Sequence, residues 1–209
     1  MKNNNTLRFK LVFSIFLFSI ILKGQDTYQR NTSANVQGYI FNLSLNDATN
    51  EIKGEAAVTV DFKSEVNEFA LDLIAKSETF GMEVMGVYED STKVDYTYEN
   101  NKLKIIPSAS SEKQRTYTIQ YEGIPKRGLV IDTTKFGERS FFGDNWPNLA
   151  RHWLPSVDHP SDKASIEFRI TAPDHYDVVA TGEKVEESNL DNGYKLTIYK
   201  EPAPVAMKV

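Results

Sequence analysis

The stretch FFGDNWPNLARHWLPSVDHPSDKA, residues 141–164, differs from the rest of the chain. It holds both tryptophans, three of the eight prolines and two of the three histidines. A strand needs only alternating apolar and polar side chains, so a sheet gains nothing from such a mixture. Residues 144–163, which we call the motif loop, are therefore expected to have a special structural or binding role.

The motif loop carries its own geometric constraints. Pro155 and Pro160 fix their φ angles and push the residues before them out of the helical region. The segment between the two prolines is therefore predicted to be a rigid turn. Arg151 and Asp158 are seven residues apart, close enough to form an ion pair across that turn.

The two tryptophans of the loop add large apolar faces. Trp146 and Trp153 each carry an indole N–H that needs a hydrogen-bond acceptor when it is buried. A rigid, aromatic, charge-paired loop suits either a structural corner or the wall of a binding cleft. The residues alone leave both interpretations open.

Outside the loop the chain has the period-two pattern of strands. Apolar side chains alternate with polar ones in five stretches, residues 39–45, 56–62, 69–73, 117–121 and 166–170. The Asn100-Asn101 pair between two further alternating runs predicts a hairpin. Residues 183–187, with three glutamates, predict a solvated strand edge or turn.

The carboxyl-terminal part predicts a few more strands. Val178-Val179 and the residues after the Asp191–Gly193 turn suggest two or three of them, and residues 202–209 look like the opening of another. No stretch after residue 25 keeps an apolar 3.6-residue period for three turns. We therefore predict an all-β domain over residues 26–209, an antiparallel saddle-shaped sheet or β-sandwich whose carboxyl-terminal edge is incomplete.

The amino terminus predicts export. Three basic residues precede an almost unbroken apolar run over residues 11–22, and polar sequence follows. Residues 1–25 therefore read as a signal peptide, because an apolar run of about 12 residues is shorter than the ~20 that cross a bilayer. We expect no stable membrane span in the mature chain, and a periplasmic, cell-envelope or extracellular location.

Composition excludes several functions. The net charge of -5 and the lack of clustered Lys and Arg argue against nucleic-acid binding. The absence of cysteine removes disulfides, cysteine nucleophiles and thiolate metal sites. A disulfide-free exported domain favours a bacterial source.

The spacing within the loop resembles a known family. Ala150-Arg151, Pro155, Asp158, Pro160 and Lys163-Ala164, followed by a strand, match the order in the N-terminal domain of zinc aminopeptidases of the aminopeptidase N and leukotriene hydrolase type. The resemblance implies that Arg151, Pro155, Asp158, Pro160 and Lys163 are structural motif residues. It also implies that the domain forms one wall of an active-site cleft.

In that family, a thermolysin-like catalytic domain holds zinc through HExxH and a distant Glu, and a GxMEN loop binds the substrate's free amino end. This sequence has neither motif, and no two of its histidines have the i, i+4 spacing that places two imidazoles on one metal. We therefore expect no catalytic residue, no metal ligand and no cofactor within this chain. Zinc, a peptide substrate and a downstream catalytic domain are implied for the complete enzyme, and this chain alone should be inactive.

One substrate contact is implied for this domain. The family has a Gln or Glu five positions before the motif Arg, where a side-chain oxygen holds the substrate's α-ammonium group. Here that position is Trp146, whose ring could instead offer a cation–π face, and Asp144 lies two residues earlier. Asp144 and Trp146 are therefore the candidate substrate-binding residues, the alternative being that both only shape the rim.

The sequence allows two other interpretations. His152 and His159 lie near Asp144, Asp158 and Asp162, but two histidines in an irregular loop are a weak metal signal. The second is a stand-alone β-sandwich module that binds a peptide, protein or glycan without chemistry of its own.

Overall fold

A computed structural model describes residues 26–110 and 112–208. The chain divides into two units, with the boundary between Arg30 and Asn31. The predicted signal peptide, residues 1–25, lies outside the described residues. Within the described part of the chain, no helix is long and apolar enough to cross a bilayer.

The described residues of the second unit are almost entirely strand and loop, as predicted. The strands are β1 (Ala34–Ser44), β2 (Ile52–Phe62), β3 (Phe69–Asp72), β4 (Gly81–Glu89), β5 (Thr92–Lys93), β6 (Tyr96–Glu99), β7 (Lys102–Ile105), β8 (Gln114–Ile124), β9 (Leu129–Thr133), β10 (Arg139–Gly143), β11 (Ala164–Pro173), β12 (Glu183–Asn189) and β13 (Tyr194–Val205). Two single 3₁₀ turns occur at Ala150–His152 and Asp191–Gly193.

Eight strands form the main sheet, in the order β12-β13-β11-β1-β2-β8-β4-β5. The expectation of a purely antiparallel sheet needs one correction, because β1 and β11 run parallel, with Phe41 opposite Phe168. Parallel neighbours cannot be joined by a tight hairpin, so a long connection separates them, and it includes four other strands of the same sheet, β2, β4, β5 and β8. The motif loop closes that long connection and leads directly into the central strand β11.

The core lies between the main sheet and a small sheet of order β3-β7-β6. Phe69 of β3 packs on Tyr117 of β8, with ring centroids 4.8 Å apart. Leu71, Leu103 and Ile105 of the small sheet are fully buried. Burial of one face explains the alternation along these strands.

The predicted hairpin is present as β6 and β7. Asn100 and Asn101 have φ angles of 52° and 60°, the left-handed pair that a tight type I′ turn requires and that Asn tolerates. The predicted edge at residues 183–187 is also correct, because β12 ends the main sheet and its side chains there are exposed.

Two predictions about the carboxyl-terminal part were wrong. Residues 202–205 continue β13 instead of opening another strand. Val178 and Val179 lie outside any strand, and Val179 is 84% exposed. The alternation of β13 is irregular near Pro202, where proline removes a backbone donor, and this hides the continuity of the strand in the sequence.

Candidate functional site

The motif loop runs from the end of β10 to the start of β11 and makes one 3₁₀ turn, Ala150–His152. Its entry is fixed by local backbone bonds, the Leu149 N–H donating to the Asn145 carbonyl at 2.9 Å. Pro155 is buried, whereas Pro160 and Lys163 are exposed. The rigid turn therefore has one proline facing the protein and one facing solvent.

Arg151 and Asp158 form the pair that their spacing predicted. Arg151 Nε lies 2.9 Å from Asp158 Oδ2, and the Arg151 Nη2 group donates to the Asp158 carbonyl at 2.9 Å. The Arg151 backbone N–H also donates to the same carboxylate at 3.2 Å. The Asp158 side chain is only 2% exposed, so these bonds replace the hydrogen bonds to water that its carboxylate loses on burial.

Asp72, at the end of β3, completes this cluster and was missed by the sequence reasoning. Its Oδ2 accepts the Asp158 backbone N–H at 3.1 Å, its Oδ1 pairs with Lys102 Nζ, and Arg151 Nη1 lies 3.8 Å away. Its side chain is 1% exposed. The available signal was a charged residue inside the otherwise apolar run Phe69–Leu73, where a buried acid demands a partner.

Burial controls the electrostatics of this cluster. It raises the pKa of the Asp158 carboxyl above its usual value, and the nearby Asp72 carboxylate acts in the same direction while Arg151 opposes both. Two carboxylates are thus held beside two cations, Arg151 and Lys102, in a site largely closed to water. Loss of either cation would leave a buried carboxylate with less compensation for its charge.

A second anchor holds the other end of the loop to β1. The Tyr39 hydroxyl accepts the Val157 backbone N–H at 3.0 Å and donates to Asp162 Oδ2 at 3.4 Å. Burial raises the pKa of Asp162 to about 6, and the hydrogen bond from Tyr39 offsets part of that rise. The loop is therefore attached to the main sheet through Tyr39 and to the small sheet through Asp72.

The two tryptophans have opposite roles. Trp153 is buried, stacks on Phe168 with centroids 6.5 Å apart, and donates its Nε1–H to Asn145 Oδ1 at 2.9 Å. Trp146 is 62% exposed, and Lys208 Nζ lies 4.9 Å from its ring centroid. Asp144 is exposed as well. Asn145 thus binds inward while its two neighbours, the candidate substrate-binding residues, face solvent.

Gly128, in the turn between β8 and β9, lies close to the motif loop. Its carbonyl accepts the Asp144 N–H at 2.6 Å. A Cβ at Gly128 would lie 2.2 Å from the Leu149 carbonyl oxygen, and the residue has a φ of 79°. Glycine is therefore required at this position, both because the Leu149 carbonyl leaves no room for a Cβ and because the φ angle is positive.

An exposed apolar surface adjoins the same segment. Phe142 and Val130 lie opposite each other on β10 and β9 and are 65% and 46% exposed. Trp146, four residues after Phe142 in the chain, is exposed as well, and we call these three side chains the hairpin surface. Large exposed apolar residues grouped in this way are typical of an interaction site.

The histidines do not assemble a metal centre. Burial lowers the pKa of His152, with Arg127, Arg151 and Lys126 adding to the effect, which keeps it neutral at pH 7. His159 Nδ1 lies 2.7 Å from Ser161 Oγ, and His175 Nε2 lies 3.6 Å from Asp47. Among residues 26–110 and 112–208, no group of three or more His, Cys, Asp or Glu could hold a metal ion.

Solved structures of zinc metallopeptidases share the fold of this chain. An M1 zinc metallopeptidase from Deinococcus radiodurans matches with a TM-score of 0.70 at 22% identity, over 84% of this chain and 40% of that one. Yeast LTA4 hydrolase in complex with bestatin matches with a TM-score of 0.71 at 20% identity, over 92% and 31%. A mutant of the Deinococcus enzyme bound to a Tyr-ser-ala substrate gives 0.70 at 21%, over 85% and 41%.

The family follows from the sequence itself. The model of the peptidase M1 N-terminal domain matches residues 28–206, so this chain belongs to that family. It spans 31–41% of the length of the solved chains it resembles. No protein of curated function matches.

Proposed function

We propose that this chain is the cleft-forming N-terminal domain of an exported zinc aminopeptidase that removes N-terminal residues from peptides. Family membership supports the domain assignment. The substrate assignment is supported by the solved relatives, one of which was crystallised with a tripeptide. The proposal for export is supported by the basic and apolar pattern of residues 1–25.

One observation carries the proposal, which is the rigid presentation of Asp144 and Trp146. Asn145, between them, is fixed by the buried Trp153 indole, so both neighbours face outward from a held backbone. A carboxylate accepts N–H bonds from an ammonium group, and an indole ring attracts a cation. The Lys208 ammonium lies 4.9 Å from the centroid of the Trp146 ring, which supports a role of this ring in cation binding.

The described residues do not fit a zinc site, because they contain no group of three or more metal-ligating side chains and the three histidines lack the required spacing. Zinc and the catalytic groups would therefore belong to another domain of the whole protein. That domain would cover the hairpin surface, which is apolar and exposed in this chain. The contribution of this chain would be to bind and orient the substrate's amino end.

Kinetics of the whole gene product test this proposal. We expect hydrolysis of aminoacyl-nitroanilides, and we expect Asp144→Ala to raise KM for them about ten-fold, the value of one charge-assisted hydrogen bond. The inhibition constants of N-acetylated peptides should stay unchanged. Glu183→Ala, on the exposed edge strand β12, is the matched control.

Two results would contradict the proposal. One is an equal effect of Asp144→Ala on free and acetylated peptides. The other is a gene product without aminopeptidase activity that binds a peptide, protein or glycan as a stand-alone module. Export is tested separately by mass spectrometry of the mature protein, which should begin near residue 25.

A further inference from the structure

The end of β3 is bonded to both sides of the motif loop. Asp72 exchanges backbone hydrogen bonds with Ser156, with N···O distances of 2.7 and 3.2 Å. Two residues later, the Ile74 N–H donates to the Arg151 carbonyl at 2.8 Å. The loop between Arg151 and Ser156 is therefore closed against one short segment of the small sheet.

The Asp72 side chain reinforces this closure through charge. One oxygen accepts the Asp158 N–H, and the other faces the ammonium of Lys102 and the guanidinium of Arg151. Lys102 is directly opposite Asp72 on β7, so the strand register sets that pair. Arg151 is thus held between two buried carboxylates, Asp158 and Asp72, and its position depends on both.

From Arg151 the connection to the candidate substrate-binding segment is short. Arg151 lies in the 3₁₀ turn that begins after Leu149, whose N–H donates to the Asn145 carbonyl. At the other end of that turn, Trp153 donates to the Asn145 side chain. Displacement of Arg151 would therefore move both groups that hold Asn145, and with it the two exposed side chains on either side.

We infer that Asp72 and Lys102 are positioning residues that fix the Asp144–Trp146 segment through Arg151. Neither residue belongs to the segment or to the loop motif. The effect on substrate binding rests on the proposed function, whereas the effect on the geometry of Trp146 does not. A buried, hydrogen-bonded carboxylate suits this purpose because its bonds are directional and cannot be replaced by water.

Fluorine NMR of the full chain labelled with 5-fluorotryptophan tests the geometry. The chain has two tryptophans, so two resonances are expected, and Trp146→Phe assigns them. We expect Asp72→Asn and the milder Lys102→Met to shift or broaden the Trp146 resonance. The matched control is Glu89→Gln, which alters the buried pair that Glu89 on β4 forms with Arg115 on β8.

The inference is wrong if the Trp146 resonance is unchanged in folded Lys102→Met, or if Glu89→Gln shifts it equally. If Asp72→Asn fails to fold, Lys102→Met decides whether the inference holds. The Lys102 side chain is 34% exposed, so its replacement is tolerated more easily.

Kinetics of the whole gene product provide the second readout. Lys102→Met should raise KM for free-amino substrates about three- to ten-fold with little change in kcat, and Lys102→Arg should restore it. A lowered melting temperature with an unchanged KM would mean a structural role only and would overturn the inference. A gene product without aminopeptidase activity would instead refute the proposed function, and the NMR result would stand apart from it.

Discussion

The guanidinium Nε of Arg151 lies 2.9 Å from the carboxylate Oδ2 of Asp158, and the same carboxylate also accepts the Arg151 backbone N–H. One carboxylate thus fixes both the side chain and the backbone of the same arginine. This arrangement closes the motif loop on itself, while Asp72 attaches it to the small sheet and Tyr39 attaches it to the main sheet.

Removal of the arginine should strongly destabilise the domain. Arg151→Leu leaves the buried carboxylates of Asp158 and Asp72 with less compensation, so the free energy of unfolding should fall by about 3 kcal/mol. Urea denaturation measures the change. Lys104→Met, which breaks the exposed pair with Glu68, should have little effect. Equal losses in the two variants would contradict the buried-cluster explanation.

Asp162 should make stability depend on pH. Its folded pKa of about 6 lies above the ordinary value of 3.8, so the unfolded chain releases this proton first as pH rises. Its stabilising contribution is therefore present below about pH 4 and is lost as pH rises to about 6.

Asp162→Asn keeps an acceptor for Tyr39 without the charge. The variant should be more stable than the parent chain by about 1–2 kcal/mol at pH 7, with the difference disappearing near pH 4. Thermal unfolding over this pH range measures it. A difference that stays constant with pH would show that Asp162 does not titrate in this way.

The two tryptophans should be separable by solvent access. Acrylamide should quench the fluorescence of Trp146 in the Trp153→Phe variant. In the Trp146→Phe variant the fluorescence of Trp153 should be protected from acrylamide, because only Trp153 is buried. Trp153→Phe should also cost about 1–2 kcal/mol of stability, since Asn145 loses its hydrogen bond. Equal quenching of both residues would be inconsistent with the described loop.

The hairpin surface should cause self-association when the chain is produced alone. We expect Phe142→Lys to lower the sedimentation coefficient toward that of a monomer without reducing stability, because Phe142 is 65% exposed. Val179→Lys, at an 84% exposed position in another segment, is the control. A parent chain that is already a stable monomer would count against a missing partner domain.

The sequence by itself determined the all-β class, the β6–β7 hairpin and the pairing of Arg151 with Asp158. Each depends on side-chain period, turn chemistry or proline restriction within a few residues, so each can be read locally. The family resemblance had the same local origin, in the spacing from Arg151 to Lys163.

Only the tertiary structure decided the parallel pairing of β1 with β11 and the identities of Asp72, Lys102 and Tyr39 as anchors. Asp72 and Asp158 are 86 residues apart, and Tyr39 and Asp162 are 123 apart. It likewise decided which tryptophan is buried. Such contacts depend on which strands become neighbours when the whole core is buried, and no local period of the sequence carries that information.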